Sequence, residues 1–337
     1  MGTATKLPAR KRRINARLLR PPALRQGDTI ALVAPASPPL HPDVIYRAVT
    51  SLSTRGFKVT VSAAAKKRLG FIAGSDKSRL ADLNRSIRSR SIKALLCLRG
   101  GYGSARIVSE IDFAALRSAP KILVGCSDIT TLHCAALQRA SMVTFHGPML
   151  QSLVDADCPD FTWNSLLATL QGAPEALGSI CKGYPLRNEI YSLQRGRVTA
   201  PLVGGNLAVL CSLLGTPYFP DLSGKILFFE DIGEMPFRIA RCLTQLTLTG
   251  VLDSVAGFAI GVFKDCEYRP PKPGDFIEYK QTLRDVFADR LKPFGKPIVI
   301  GLPFGHLPHN ATLPIGSLAT LDGNKADLSL EEFGVSR

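Results

Sequence analysis

The sequence predicts an α/β protein: its first half is wound on a doubly wound parallel sheet and its second half is a mixed α/β block. Three observations carry this. Apolar strand segments and amphipathic helical segments alternate from residue 29 to residue 146. The segment 92–98 is a near-continuous apolar run, the pattern of a strand covered on both faces. Glycine-rich or serine-bearing turns directly follow the strands at 92–98 and 121–124, where sheets of this kind carry their sites.

The elements follow in order. Thr29–Ala34 is the opening strand after Gly27-Asp28, residues 43–55 a helix, and Phe57–Val61 the second strand. In 78–88, Leu80, Leu83 and Ile87 recur at helical spacing. The strand Ile92–Leu98 runs into Arg99-Gly100-Gly101-Tyr102-Gly103, and a helix starts near 104. A strand at 121–124, a helix from 128 and the strand Met142–His146 complete the first block. Residues 152–200 are expected to be irregular, with an amphipathic stretch near 161–170. The second block places a helix after Gly204-Gly205-Asn206, a strand at Lys225–Glu230 and a helix over 236–249. A strand at Val255–Phe263, a helix over about 279–291 and strands near 297–301, 316–321 and 326–330 follow. The domain plan is a basic extension over 1–20, a first domain over 21–155, a linker over 156–198 and a second domain over 199–337.

With 337 residues, two domains are the default, and no apolar run reaches the roughly 18 residues of a spanning helix. The net charge of +15 is unevenly placed: residues 1–27 hold eight Lys and Arg and no acid. Such a tail reads as a solvated extension, a nucleic-acid or membrane contact, or an address. It has no interleaved aromatics and no recognised nucleic-acid module accompanies it, which argues against nucleic acid as a partner. No apolar segment of secretory type follows the arginines. The eight cysteines form no CxxC pair, so they read as small core residues of a reducing compartment.

Chemistry concentrates in Gly125-Cys126-Ser127-Asp128. A serine on a sharp strand-to-helix turn suits a nucleophile, exposed and close to the positive end of a helix. The same serine could simply cap that helix. Cys126, after a buried strand, is expected to pack inward. A serine needs a base, and the five histidines are His41, His133, His146, His306 and His309. His41 lies in a proline-rich loop, and His133 is turned away by its helical spacing. His306, flanked by Gly305 on a loop off an apolar strand, suits a base best, with His309 or His146 second. Glu230 closes the apolar strand before it, so its carboxylate should start in a partly buried place and demand a partner. The Asp128 amide is a natural oxyanion donor. Gly100-Gly101 would let backbone approach a ligand closely, or could be a tight turn. There is no HExxH, no P-loop and no GxGxxG, so no metal or cofactor is expected.

Taken together, these blocks resemble the LD-carboxypeptidase family of serine peptidases, which includes murein tetrapeptide carboxypeptidases and microcin-immunity peptidases. The resemblance spreads over most of 21–322. It is carried by Gly27-Asp28, Gly70 to Asn84, Leu98 to Gly103, Gly125 to Thr130 and His146-Gly147-Pro148-Met149, and by Gly204-Gly205-Asn206, Phe229 to Glu234 and Gly301 to His306. It implies a Rossmann-like parallel-sheet N-terminal domain and a smaller β-rich mixed α/β C-terminal domain. It also implies a Ser-Glu-His triad falling on Ser127, Glu230 and His306, oxyanion amides at Asp128 and Gly101, and a metal-independent cytoplasmic homodimer. The implied reaction is release of D-Ala from a murein tetrapeptide in cell-wall recycling. A free terminal carboxylate would need a cation, with Arg99 and Arg106 as candidates. Two positions depart from the family pattern: Cys126 stands where an aromatic or bulky residue is usual, and Ala240 where the family often has an acid. The competing readings are a microcin-immunity-like peptidase acting on peptidyl-nucleotides or other peptide amides, and a non-enzymatic two-domain ligand-binding protein.

Overall fold

The computed structural model describes residues 18–268 and 281–337. The basic extension up to residue 17, and the start of the helix expected from about 279, lie outside the described residues. Among the described residues the strands are β1 (Thr29–Val33), β2 (Lys58–Val61), β3 (Ile92–Cys97), β4 (Ile122–Gly125), β5 (Thr144–His146), β6 (Gly178–Ser179), β7 (Tyr191–Gln194), β8 (Arg197–Asn206), β9 (Ile226–Ile232), β10 (Gly257–Lys264), β11 (Ile298–Gly305), β12 (Leu313–Ile315), β13 (Leu318–Asp322) and β14 (Asp327–Leu330).

The first sheet has the order β12-β5-β4-β3-β1-β2. Its strands β1 to β5 pair in parallel, as the alternation of strands and helices requires. Leu95, Leu96 and Cys97 of β3 are all buried, so both faces of the sheet are covered. The chain leaves β1 for β2 on one side and returns to β3 on the other. That reversal puts the turn after β3 beside the turn after β1, where Ser37 N donates to Gly100 O at 3.0 Å.

The second sheet has the order β6-β14-β13-β8-β9-β10-β11-β7. Its centre, β8 to β11, is parallel and the remaining strands pair antiparallel. Phe228, Phe229, Phe258 and Phe304 are fully buried there. The molecule is thus α/β throughout, with one mostly parallel sheet and one larger mixed sheet.

Within residues 152–200 the amphipathic stretch expected near 161–170 is a helix, and the irregular connection expected around it also contains two short strands. The helix Asp160–Gln171 buries Trp163, Leu166 and Leu170 against the first sheet's core, while β6 and β7 extend opposite edges of the second sheet. Strands of two and four residues leave too short an alternation to read. The chain also crosses back late: β12 pairs antiparallel with β5, Leu313 opposite His146, and closes the edge of the first sheet. Bonds of this kind fix the two sheets against each other. Asn206 N, at the end of β8, donates to Thr130 Oγ1 in the helix Thr130–Ala140 at 2.9 Å.

Candidate active site

β4 ends at Gly125, and the chain turns through Ser127–Ile129 into the helix Thr130–Ala140. Ser127 has φ +57°, a left-handed conformation rare for a residue with a side chain. Such strain persists only where the surroundings impose it, and it is the conformation of a nucleophile elbow. The surroundings are visible. A Cβ built on Gly100 would lie 2.8 Å from Ser127 Cβ and 3.3 Å from Asp128 N, so only glycine lets the turn after β3 press this closely on the elbow. Cys126 is buried, as expected, and burial first, then the charge of Glu230, pushes its thiol up.

The elbow and the turn after β3 are tied by buried polar groups. Ser104 N donates to Asp128 Oδ2 at 2.9 Å, and Ser104 Oγ donates to the Asp128 carbonyl at 2.6 Å. Burial raises the Asp128 carboxyl while the Ser104 and Gly103 bonds lower it, and burial prevails. Arg79 is fully buried; it donates to Pro35 O and, at 3.0 Å, to Gly103 O, and it pairs with Asp76. Ser37 Oγ accepts from Tyr102 N at 3.2 Å, which holds Gly101 against the strand ends.

Glu230 and His306 come from strands that are not neighbours, since β10 lies between β9 and β11. Nevertheless His306 Nδ1 and Glu230 Oε2 are 2.6 Å apart. Glu230 is more deeply placed than its sequence position suggests: it is fully buried, because β9 continues past it to Ile232. The imidazole keeps a fifth of its side chain exposed. Gly305 makes the pairing possible: it has φ +119°, and a Cβ there would stand 2.9 Å from Glu230 Cβ and Oε2. Asn310 braces the loop by donating from Nδ2 to Gly305 O at 2.8 Å. Beneath the pair, the rings of Phe228 and Phe304 meet edge-on at 5.6 Å. Burial pulls the His306 pKa down, but the hydrogen bond to Glu230 and the charges of Glu230 and Asp231 outweigh it, leaving the pKa above the ordinary histidine value.

Ser127 and His306 open onto one cleft of about 720 Å³, lined also by Gly100, Gly101, Arg99 and Lys264. Glu230 stands behind the imidazole. This arrangement can take a proton from a serine hydroxyl onto a held imidazole beside backbone amides. Arg99 is half-buried at the cleft, its guanidinium donating to Pro38 O at 3.3 Å, with no carboxylate partner among the described residues. Burial first, then Arg68, lowers its pKa. Arg106 does not join it: it is absent from the cleft lining and is neutralised by Asp76 at 2.8 Å.

The other histidines are placed elsewhere. His133 is fully buried with Nε2 2.8 Å from Gly125 O, and burial pushes its pKa down to about 4. His146, expected as a second candidate, is fully buried against the Phe228 and Phe304 rings, and burial drives its pKa well below the usual value. His309 packs against Phe161 and Tyr184, and His41 is exposed on its loop. Among the described residues no group of three or more His, Cys, Asp or Glu side chains is placed to hold a metal ion, and no helix is long and apolar enough to cross a membrane.

Several supporting residues carry no signal in single-residue reading. Asp231 accepts from Asn206 Nδ2 at 2.8 Å and Ala208 N at 3.0 Å, and burial raises its pKa to about 6. Together with Asn206, whose Oδ1 accepts from Val209 N, it caps the helix Leu207–Ser212 and holds the residue beside Glu230. The only sequence hint was their place in the blocks Gly204-Gly205-Asn206 and Glu230-Asp231.

Comparison with known proteins agrees with this anatomy. The family model of the LD-carboxypeptidase N-terminal domain matches residues 30–147, and that of the C-terminal domain matches residues 199–321. A probable murein peptide carboxypeptidase of Bacillus subtilis is 38% identical over 323 residues, which is 94% of this chain and 95% of the relative. The crystal structure of muramoyltetrapeptide carboxypeptidase from Oxalobacter formigenes superposes with a TM-score of 0.76 at 31% identity, covering 90% of this chain and 97% of that one. The microcin C7 self-immunity protein MccF, in complex with aspartyl sulfamoyl adenosine, shares the fold with a TM-score of 0.83 at 24% identity, covering 94% of this chain and all of that one.

Proposed function

The chain belongs to the LD-carboxypeptidase family, and on that premise we propose that it is a serine carboxypeptidase that releases a terminal D-amino acid from a murein tetrapeptide. The observation that carries the reading is the buried Glu230–His306 pair opening onto the same cleft as the strained Ser127.

In this mechanism His306 accepts the Ser127 proton through Nε2, while Glu230 holds Nδ1 and stabilises the imidazolium. Ser127 Oγ attacks the carbonyl of the amide that joins an L-configured centre to a C-terminal D-residue. The Asp128 and Gly101 amides receive the developing oxyanion; losing one such donor raises a barrier by roughly 3–4 kcal/mol. His306 then protonates the leaving amine, and water repeats the sequence on the acyl-enzyme. Arg99 is the cation assigned to the free terminal carboxylate, since no carboxylate among the described residues pairs with it and it is partly withdrawn from water. The same reading carries the family's expectation of a cytoplasmic homodimer.

The test is hydrolysis of three compounds by the purified protein: a murein tetrapeptide ending in D-Ala, its L-Ala epimer, and a peptidyl sulfamoyl nucleotide. Free alanine is read by mass spectrometry. The proposal expects release from the D-Ala peptide alone. Preferential cleavage of the nucleotide conjugate would move the protein to the immunity-type reading. No cleavage of any compound by folded protein would favour a ligand-binding role.

A further inference from the structure

The helices Leu207–Ser212 and Pro236–Leu248 pack together and bring two cysteines into contact that the hydrolytic reading does not use. Cys211 is 5% exposed, and its Sγ is 3.6 Å from the carbonyl oxygen of Cys242. Cys211 thus sits against the backbone of Cys242 across the helix–helix contact. Cys242 is half-buried and lines a groove of about 350 Å³ with Asp231, Glu234, Arg238 and Arg241, so a small oxidant can reach its sulfur. The pair is asymmetric in the way a reactive dithiol needs, with one thiol accessible and its neighbour enclosed behind it.

We propose that Cys242 and Cys211 form a peroxide-oxidisable dithiol, in which Cys242 is attacked first and Cys211 resolves it as a disulfide. The proximity of Cys211 holds the Cys242 thiol below its ordinary value, which favours the nucleophilic thiolate, while the same proximity and burial push Cys211 well up. The Cys242 thiolate attacks one oxygen of hydrogen peroxide; the O–O bond breaks, giving a sulfenic acid and hydroxide, which takes up a proton as water. The Cys211 sulfur then attacks the sulfenic sulfur, and the S–O bond breaks as the S–S bond forms. The departing hydroxide takes the Cys211 proton and leaves as a second water. Two thiols lose two electrons in total, and one peroxide becomes two waters.

The bond would fall close to the scaffold of the cleft. The helix that carries Cys211 begins at Asn206, which bonds both Thr130 behind the Ser127 elbow and Asp231 beside Glu230.

The experiment treats the folded full-length protein with a small excess of hydrogen peroxide, alkylates remaining thiols, and maps the peptides. The expected result is a Cys211–Cys242 cross-linked peptide that a dithiol reductant removes. Cys211→Ser should stop the reaction at a Cys242 sulfenic acid that dimedone captures, and Cys242→Ser should leave Cys211 a free thiol. Alkylation of both cysteines after peroxide, in protein that retains its circular dichroism, would overturn the proposal. So would peroxide chemistry at Cys211 in the Cys242→Ser variant.

Discussion

Gly305 and Glu230 are so close that a single added carbon at Gly305 would sit 2.9 Å from both Cβ and Oε2 of the carboxylate that holds His306. The backbone there, at φ +119°, is also one that a residue with a side chain rarely adopts. Gly305→Ala should therefore separate the imidazole from Glu230 while leaving most of the sheet intact. A shift of about 1 Å at such a site costs on the order of 100-fold in rate. Steady-state kinetics on a D-Ala-terminated tetrapeptide checks this; unchanged kcat would mean that the pair tolerates the displacement.

The state of His306 sets the pH dependence. As a base it must be neutral, and its pKa stands above the usual histidine value, so kcat/KM should fall as pH drops through that raised value. Glu230→Gln should move this acid limb to lower pH, because the bond and charge that raise the pKa are weakened. The rate should also fall by roughly 10⁴-fold where the held tautomer is lost. Stability runs the other way. A raised folded-state pKa stabilises fully below the unfolded value, near 6.5, and that contribution is lost as pH rises through the folded value. A pH–rate profile of both proteins, with urea melts at matching pH, reads both signs.

Arg99 and Arg106 could not be ranked from sequence, since each is an arginine near the same glycine turn. The fold separates them: Asp76 neutralises Arg106, and Arg99 alone reaches the cleft. Arg99→Gln should raise KM about 10- to 100-fold, the worth of one charge-assisted hydrogen bond, with a smaller change in kcat. Arg106→Gln should leave KM unchanged. A KM effect confined to Arg106 would reverse the assignment.

Arg79 shows why the scaffold was harder to read than the reactive groups. A polar residue in an amphipathic helix ordinarily marks the solvated face, yet this guanidinium is fully buried and holds the turn that carries Gly103. Arg79→Leu leaves Pro35 O and Gly103 O without their donor and should cost about 3 kcal/mol. Urea denaturation would show this as a lower midpoint at unchanged slope. A midpoint equal to wild type would place the support of that turn elsewhere.

Ser127 and His306 stand out in the sequence because each follows the end of an apolar strand, and strand ends are where side chains of an α/β sheet meet. The alternation of the first block was legible for a related reason, since parallel strands must be apolar on both faces. What escaped was non-local. β6 and β7 are too short to show a period, and β12 joins the first sheet from 167 residues beyond β5 by pairing alone, Leu313 against His146. Glu230 was expected at a strand end and lies inside β9, because Asp231 is accommodated by Asn206 and the strand need not stop at the first charge.

The most direct measurement replaces the hydroxyl itself. Ser127→Ala and wild-type protein are incubated with a tetrapeptide ending in D-Ala, and released D-Ala is followed by mass spectrometry. The account predicts that release falls by at least roughly 10³-fold in a variant that keeps its fold. Release by the variant at the wild-type rate would contradict it.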